Sequence, residues 1–191
     1  MSYADGYDGK AGRGNLHLLR GGDMLYPTGA LCVVHHRNTN SQKIFSKHAP
    51  GRVACICVHP GGELVASGET GKSPRLLVWS GHTMQLVCEV KDLLPAPTAE
   101  EIERKKAGGL AGGSSLGLSC VSFSSGGDPL VVVVAGDAEN TVTVVDYKSN
   151  EVCCPAPHGI TFNLNWLLRH VATQYASAYT PPWESLGTSH R

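Results

Sequence analysis

A four-strand pattern that occurs twice constrains this chain more than any other feature of it. Val53 to Val58, Leu64 to Ser67, Arg75 to Trp79 and Leu86 to Val90 are short apolar runs. Turn chemistry separates them: His59-Pro60-Gly61-Gly62, then Gly68 to Pro74, then Gly81-His82-Thr83. Leu118 to Phe123, Leu130 to Ala135, Thr141 to Asp146 and Glu151 to Cys154 repeat the pattern. Short strands joined by short turns make antiparallel meanders. A four-stranded unit that recurs along a chain is the sequence sign of a β-propeller, each unit forming one blade.

Upstream, Leu16-His17-Leu18-Leu19, Asp23 to Tyr26, Ala30 to His35 and Gln42 to Phe45 read as further short strands, with a turn at Pro27-Thr28-Gly29. The expected fold is therefore all-β: a partial propeller of about two and a half four-stranded blades, with a short inserted helix and a C-terminal helical tail. The expected segments are 1–22 as a lead-in, 23–157 as the partial propeller with an insertion at 91–117, and 158–191 as a partly helical tail. A blade buries both faces against neighbours, so a propeller that stops early exposes apolar faces and backbone edges. With 191 residues, the chain is expected to be either a fragment of a longer propeller or a member of a larger assembly, its open faces covered by partners or by its own tail.

The insertion and the tail carry the helical signals. Thr98 and Glu101 form a capping box ahead of Arg104-Lys105-Lys106, and Gly108-Gly109 ends that short polar helix. Leu164, Leu167, Leu168, Val171 and Tyr175 are spaced for one helix face, with Trp166 beside them, and Thr180-Pro181-Pro182-Trp183 closes the stretch. Leu164, Trp166, Leu167, Leu168, Val171 and Trp183 are the candidate partner-binding residues.

Composition narrows the functions. Sixteen basic and 16 acidic side chains balance to zero formal charge, which argues against a strong field for nucleic acid or anionic lipid. No run approaches the roughly 18 apolar residues of a membrane span. Met1-Ser2-Tyr3-Ala4-Asp5-Gly6 lacks the apolar run of a signal peptide. Seven cysteines, an odd number without a disulfide-type framework, fit a reduced intracellular chain. Cys55 and Cys57 would share one strand face and so could converge on a metal, but Val53 and Val58 around them favour a buried strand. No metal site and no cofactor are expected.

Ala66-Ser67-Gly68-Glu69-Thr70-Gly71-Lys72-Ser73 nearly spells a phosphate-binding loop. That chemistry needs a helix opening at Lys72-Ser73, so that backbone N–H groups face the phosphates. Pro74 and the strand-like Arg75-Leu76-Leu77-Val78-Trp79 follow instead. A hairpin turn is the expectation, and no catalytic residue is assigned.

The repeated block resembles the WD-repeat family. His48 stands where that family has the histidine of its Gly-His pair, with Lys47 in place of the Gly. Val65-Ala66-Ser67-Gly68 matches its second strand. Leu77-Val78-Trp79-Ser80 matches the strand ending in Trp-Asp, with Ser80 for Asp; Val144-Val145-Asp146 matches it again, with Val145 for Trp. The resemblance implies a His–Ser–Trp hydrogen-bond network from His48, Ser67 and Trp79, with Asp146 a structural residue of the second unit. The family's usual turn Asp finds no counterpart.

The lead-in resembles the HELP motif of the echinoderm microtubule-associated protein-like family, through Gly6-Tyr7-Asp8-Gly9, Asn15-Leu16-His17-Leu18-Leu19 and Met24-Leu25-Tyr26-Pro27-Thr28-Gly29. Gly6, Tyr7, Gly9 and Asn15 are its structural candidates, and Asp8 replaces an Arg. The resemblance implies a non-enzymatic, microtubule-associated structural protein of the cytoplasmic cytoskeleton, in a microtubule, ciliary or axonemal assembly. Its expected partners are proteins, tubulin or other microtubule-associated proteins among them, rather than nucleic acid or membrane. The rival expectation is a generic WD-repeat adaptor without a link to microtubules.

Overall fold

Among the described residues, twelve strands follow one another and pair only with their sequence neighbours. The computed structural model describes Ala4, Gly6 and residues 15–71, 73–91, 93, 117–125, 129–135 and 141–155. The first sheet comprises β1 (His17–Leu18), β2 (Met24–Thr28), β3 (Leu31–His36) and β4 (Ser41–Phe45). The second comprises β5 (Val53–Val58), β6 (Leu64–Glu69), β7 (Leu76–Ser80) and β8 (Leu86–Val90). The third comprises β9 (Leu118–Phe123), β10 (Leu130–Ala135), β11 (Val142–Asp146) and β12 (Glu151–Pro155). All three are antiparallel meanders in chain order.

The first sheet is more complete than the sequence implies. It has four strands, although β1 contributes only two residues, His17 opposite Leu25 and Leu18 opposite Met24. There is no helix among the described residues. The expected insertion helix and the helical tail lie outside them, as do Tyr7, Gly9 and the tail residues Leu164, Trp166, Leu167, Leu168, Val171 and Trp183.

The second and third sheets share one backbone plan. Leu64 pairs with Ser80 and Leu130 with Asp146, so the two central hairpins run in the same register. Under that correspondence Trp79 matches Val145, Ser67 matches Val133 and Glu69 matches Ala135. Both sheets also break register at the same two places. One lies between the first two strands, at Val53/Cys55 and at Val134/Ala135; the other lies between the last two, at Val78/Trp79 and at Val144/Val145. A bulge bends its strand and raises the local twist, so both sheets are shaped alike.

Apolar residues alternate along these strands and place the core in the two seams between sheets. Leu25, Cys32, Val34 and Phe45 of the first sheet meet Ile56, Val65, Leu77 and Trp79 of the second. The Phe45 and Trp79 rings stack 4.2 Å apart with their planes 4° from parallel. Ala66, Leu76, Val78 and Cys88 meet Leu118, Val121, Val131 and Val145 of the third.

At one point the second seam leaves no room for a side chain. A Cβ on Gly68 would stand 2.8 Å from Cys55 Sγ and 2.9 Å from Leu118 Cβ. Overpacking of this kind costs about 1–3 kcal/mol. Gly68→Ala is therefore expected to lower the unfolding free energy by about that amount, read from the urea midpoint. An unchanged midpoint would show that the seam has slack.

Candidate functional site

The polar residues singled out in the first repeat do meet, inside the seam between the first two sheets. His48 lies on the connection from β4 to β5, Ser67 on β6 and Trp79 on β7, and all three are 0% exposed. His48 Nε2 is 2.6 Å from Ser67 Oγ. The Trp79 indole Nε1–H donates to the same oxygen at 3.0 Å. Phe45 packs edge-on against the His48 ring, 5.9 Å between centroids.

The structure adds two residues that the sequence reading missed. β6 runs two residues beyond Ser67, to Glu69, whose carboxylate is 3% exposed at residue level. Its Oε1 faces His48 Nδ1 at 2.9 Å and accepts from Arg75 Nη2 at 2.6 Å. Its Oε2 accepts from the Arg75 backbone N–H at 3.1 Å and from Arg75 Nε at 3.0 Å. Arg75 also donates to the carbonyls of Lys47 and His48 and to Glu89. Glu69 thus closes the set on the side of the His48 ring opposite Ser67. The signal available was the alternation of a strand: Glu69 follows Ser67 by two, so both project to one face.

A carboxylate only accepts, so His48 Nδ1 carries a hydrogen and Nε2 accepts from Ser67. Burial holds the imidazole below its ordinary range, and the nearby Arg75 charge adds to this, against the pull of Glu69. For Glu69, burial alone would raise the carboxyl, but hydrogen bonds from Arg75 and His48 outweigh it and hold the group low. Both effects have the same sign for stability. Below the usual histidine value of 6.5, an unfolded chain takes up a proton before the folded one does. Below the usual 4.5 of a glutamate, the unfolded chain again binds protons first. Stability is therefore expected to fall as pH drops from neutral, first through the histidine and then through the glutamate. Melting temperature against pH checks this, and His48→Gln should flatten the first part of the decline.

Removing one member of a buried ion pair strands the other, at a cost of about 3 kcal/mol. Glu69→Gln is expected to destabilise by roughly that amount, measured by chemical denaturation. A loss no larger than that of an exposed pair, such as Arg20–Glu63 at 3.2 Å, would contradict the assignment.

The third sheet has no such network at the equivalent positions. Val133 and Val145 are 1% and 0% exposed, and Ala135 is 3% exposed, so the three equivalent positions are apolar, with buried Thr143 beside them. Asp146 does other work: its Oδ1 accepts from the backbone N–H of Lys148 at 2.8 Å and Ser149 at 3.2 Å, capping a turn. Ser80, its counterpart, accepts from Thr83 N–H at 3.2 Å. Gly6 sits at a φ of +106° with open space around its α-carbon, and Asn15 lies just before β1.

The near-phosphate loop resolves as a hairpin turn. β6 continues through Glu69, Gly71 takes a φ of +122°, and β7 begins at Leu76, so no helix N-terminus opens there for a phosphate. Burial pushes the Cys55 thiol up to about 12 and raises that of Cys57 as well. Among the described residues no group of three or more His, Cys, Asp or Glu could hold a metal. A shallow cleft of about 380 Å³ lies between turns of the first two sheets, lined by Leu19, Asp23, Glu63 and Thr83 among others.

Architecture and network together define an all-β chain of stacked four-stranded sheets, braced internally at one seam. No family model matches it. It is 26% identical over 149 residues to echinoderm microtubule-associated protein-like 4 of Xenopus laevis, covering 78% of this chain and 15% of that protein. It is 29% identical over 104 residues to echinoderm microtubule-associated protein-like 3 of Homo sapiens, covering 47% and 12%. The 77 kDa echinoderm microtubule-associated protein of Strongylocentrotus purpuratus is 29% identical over 92 residues, covering 44% and 13%. The aligned part is thus between 12% and 15% of the length of these relatives. A chain in the crystal structure of the mitotic checkpoint complex superposes with a TM-score of 0.51 at 8% identity, over 73% of this chain and 35% of that one. At that identity the likeness concerns the fold alone.

Proposed function

We propose that this chain is a non-enzymatic, microtubule-associated structural protein that works through protein–protein contacts as part of a WD-repeat-like propeller. The observation that carries the reading is the distant similarity to echinoderm microtubule-associated protein-like 4 across 78% of the chain. The geometry supports it in two ways. The buried His48–Ser67–Trp79 set occupies a bracing position, with none of its polar atoms turned toward a substrate cavity. And β10, Leu130-Val131-Val132-Val133-Val134-Ala135, is apolar on both faces: Val131, Val133 and Ala135 are buried, while Leu130, Val132 and Val134 are only half-buried. Strands apolar on both faces belong to sheets covered on both sides, which fits a neighbouring protein surface or further blades. Gly6, Tyr7, Gly9 and Asn15 serve, on this reading, as a HELP-like lead-in. Tubulin or another microtubule-associated protein is the partner, and the cytoplasmic cytoskeleton is the place.

Co-sedimentation with taxol-stabilised microtubules tests the proposal, the expected outcome being enrichment of the chain in the pellet. Recovery wholly in the supernatant, with soluble protein partners, would favour a general WD-repeat adaptor. A ciliary or axonemal setting is the narrower form of the same reading, and detection in salt-extracted axonemes tests it.

A further inference from the structure

The seam network contains a choice that depends on one proton. With His48 neutral, its Nδ1–H donates to Glu69, its Nε2 accepts from the Ser67 hydroxyl, and Ser67 Oγ accepts from Trp79. A second proton on the ring turns Nε2 into a donor. Ser67 Oγ then faces two donors, Trp79 Nε1–H and His48 Nε2–H, and must send its own hydrogen elsewhere. The Leu77 carbonyl, 3.5 Å away, is the acceptor within reach. Protonation therefore reverses the 2.6 Å bond, turns the Ser67 hydroxyl toward an acceptor at the limit of hydrogen bonding, and adds a charge to a site closed to water whose carboxylate is already paired with Arg75.

The neighbouring groups frame that step. Glu69 faces Nδ1 and favours the charged ring, while Arg75, bonded to the same carboxylate, opposes it. Glu89 lies behind Arg75. Cys32, from the first sheet, sits beside Ser67, and burial pushes its thiol up to about 12, so it stays neutral. Lys47, next in the chain, is exposed.

The connection that bears His48 is tied to the second sheet through the same groups. Arg75 Nη2 donates to the carbonyls of Lys47 and His48 at 3.1 and 3.0 Å. Gly51 N–H donates to the His48 carbonyl at 2.6 Å, and Thr70 N–H to the Arg52 carbonyl at 2.8 Å. Gly51 packs so close to the Glu69 carboxylate that an added Cβ would stand 2.8 Å from Cδ. A shift of the ring therefore moves the whole 46–52 connection, which joins the first sheet to the second.

We propose that His48, Ser67, Glu69 and Arg75 form a proton-operated latch between the 46–52 connection and the second sheet, closed while His48 is neutral and loosened when it takes a proton from solvent. The latch reports on itself, because the Trp79 indole N–H shares the Ser67 oxygen with His48.

The test is nuclear magnetic resonance on the ¹⁵N-labelled full chain between about pH 7.5 and about pH 5. The Trp79 indole resonance should move with the titration of the His48 ring. Over the same range, amide protection at Gly51, Val53 and Thr70, corrected for intrinsic exchange, should fall about tenfold. In His48→Gln both changes should vanish. Ser67→Ala, which keeps His48, should uncouple the indole resonance from the ring titration and serves if His48→Gln does not fold. An indole signal and protection pattern constant across the range in the folded chain would overturn the latch. So would an equal loss of protection in His48→Gln.

Discussion

The buried carboxylate of Glu69 is the constraint around which the first seam is organised. Four hydrogen bonds converge on its two oxygens, three from Arg75 and one from His48. A charge in that position survives only if it is fully partnered, so the surrounding backbone has little freedom. Arg75 must turn back across the hairpin, and the 46–52 connection must bring His48 in from the other side. Ser67 and Trp79 then complete the set, and the stacked Phe45 seals it with apolar surface. This network thus adds directional bonds to a seam that is otherwise packed largely through apolar side chains.

The second seam reaches the same arrangement by other means. Its positions equivalent to Ser67, Glu69 and Trp79 are Val133, Ala135 and Val145, all buried. Phe123 supplies edge contacts to His59 and Tyr147 at 5.1 and 5.7 Å. The Cys88 thiol donates to Asn150 Oδ1 at 2.9 Å and ties the outer strand of one sheet to a turn of the next. Hydrophobic contact is non-directional, so the interior of this seam has area without the angular definition that a buried ionic network imposes.

Much of this was readable in the sequence, for physical reasons. Period-two alternation and turn residues such as Pro60-Gly61-Gly62 report directly on backbone geometry, so the eight strands of the two repeats were legible; the meeting of His48, Ser67 and Trp79 came from the resemblance to WD repeats alone. Glu69 and Arg75 were hidden because the first lies within, and the second directly follows, Gly68 to Pro74, a stretch whose glycines and proline read as loop. The loop does begin there, but only after the strand has carried one more charged side chain inward. The short strand read at Leu16 to Leu19 is there too, trimmed to His17 and Leu18 by the two residue pairs it makes with Met24 and Leu25.

The coincident bulges of the second and third sheets carry a wider meaning. Two interiors as unlike as a charged hydrogen-bond network and a wall of valines sit on backbones that break register at the same steps. Shape here is written in the main chain and is indifferent to what fills it. A unit so built is free to change its interior, and with it the surface it offers, without renegotiating its outline with its neighbours. The unit that holds Glu69 has given up that freedom, since any single replacement strands a partner. One sheet of the pair is therefore bound to its interior, and the other is open to revision by substitution.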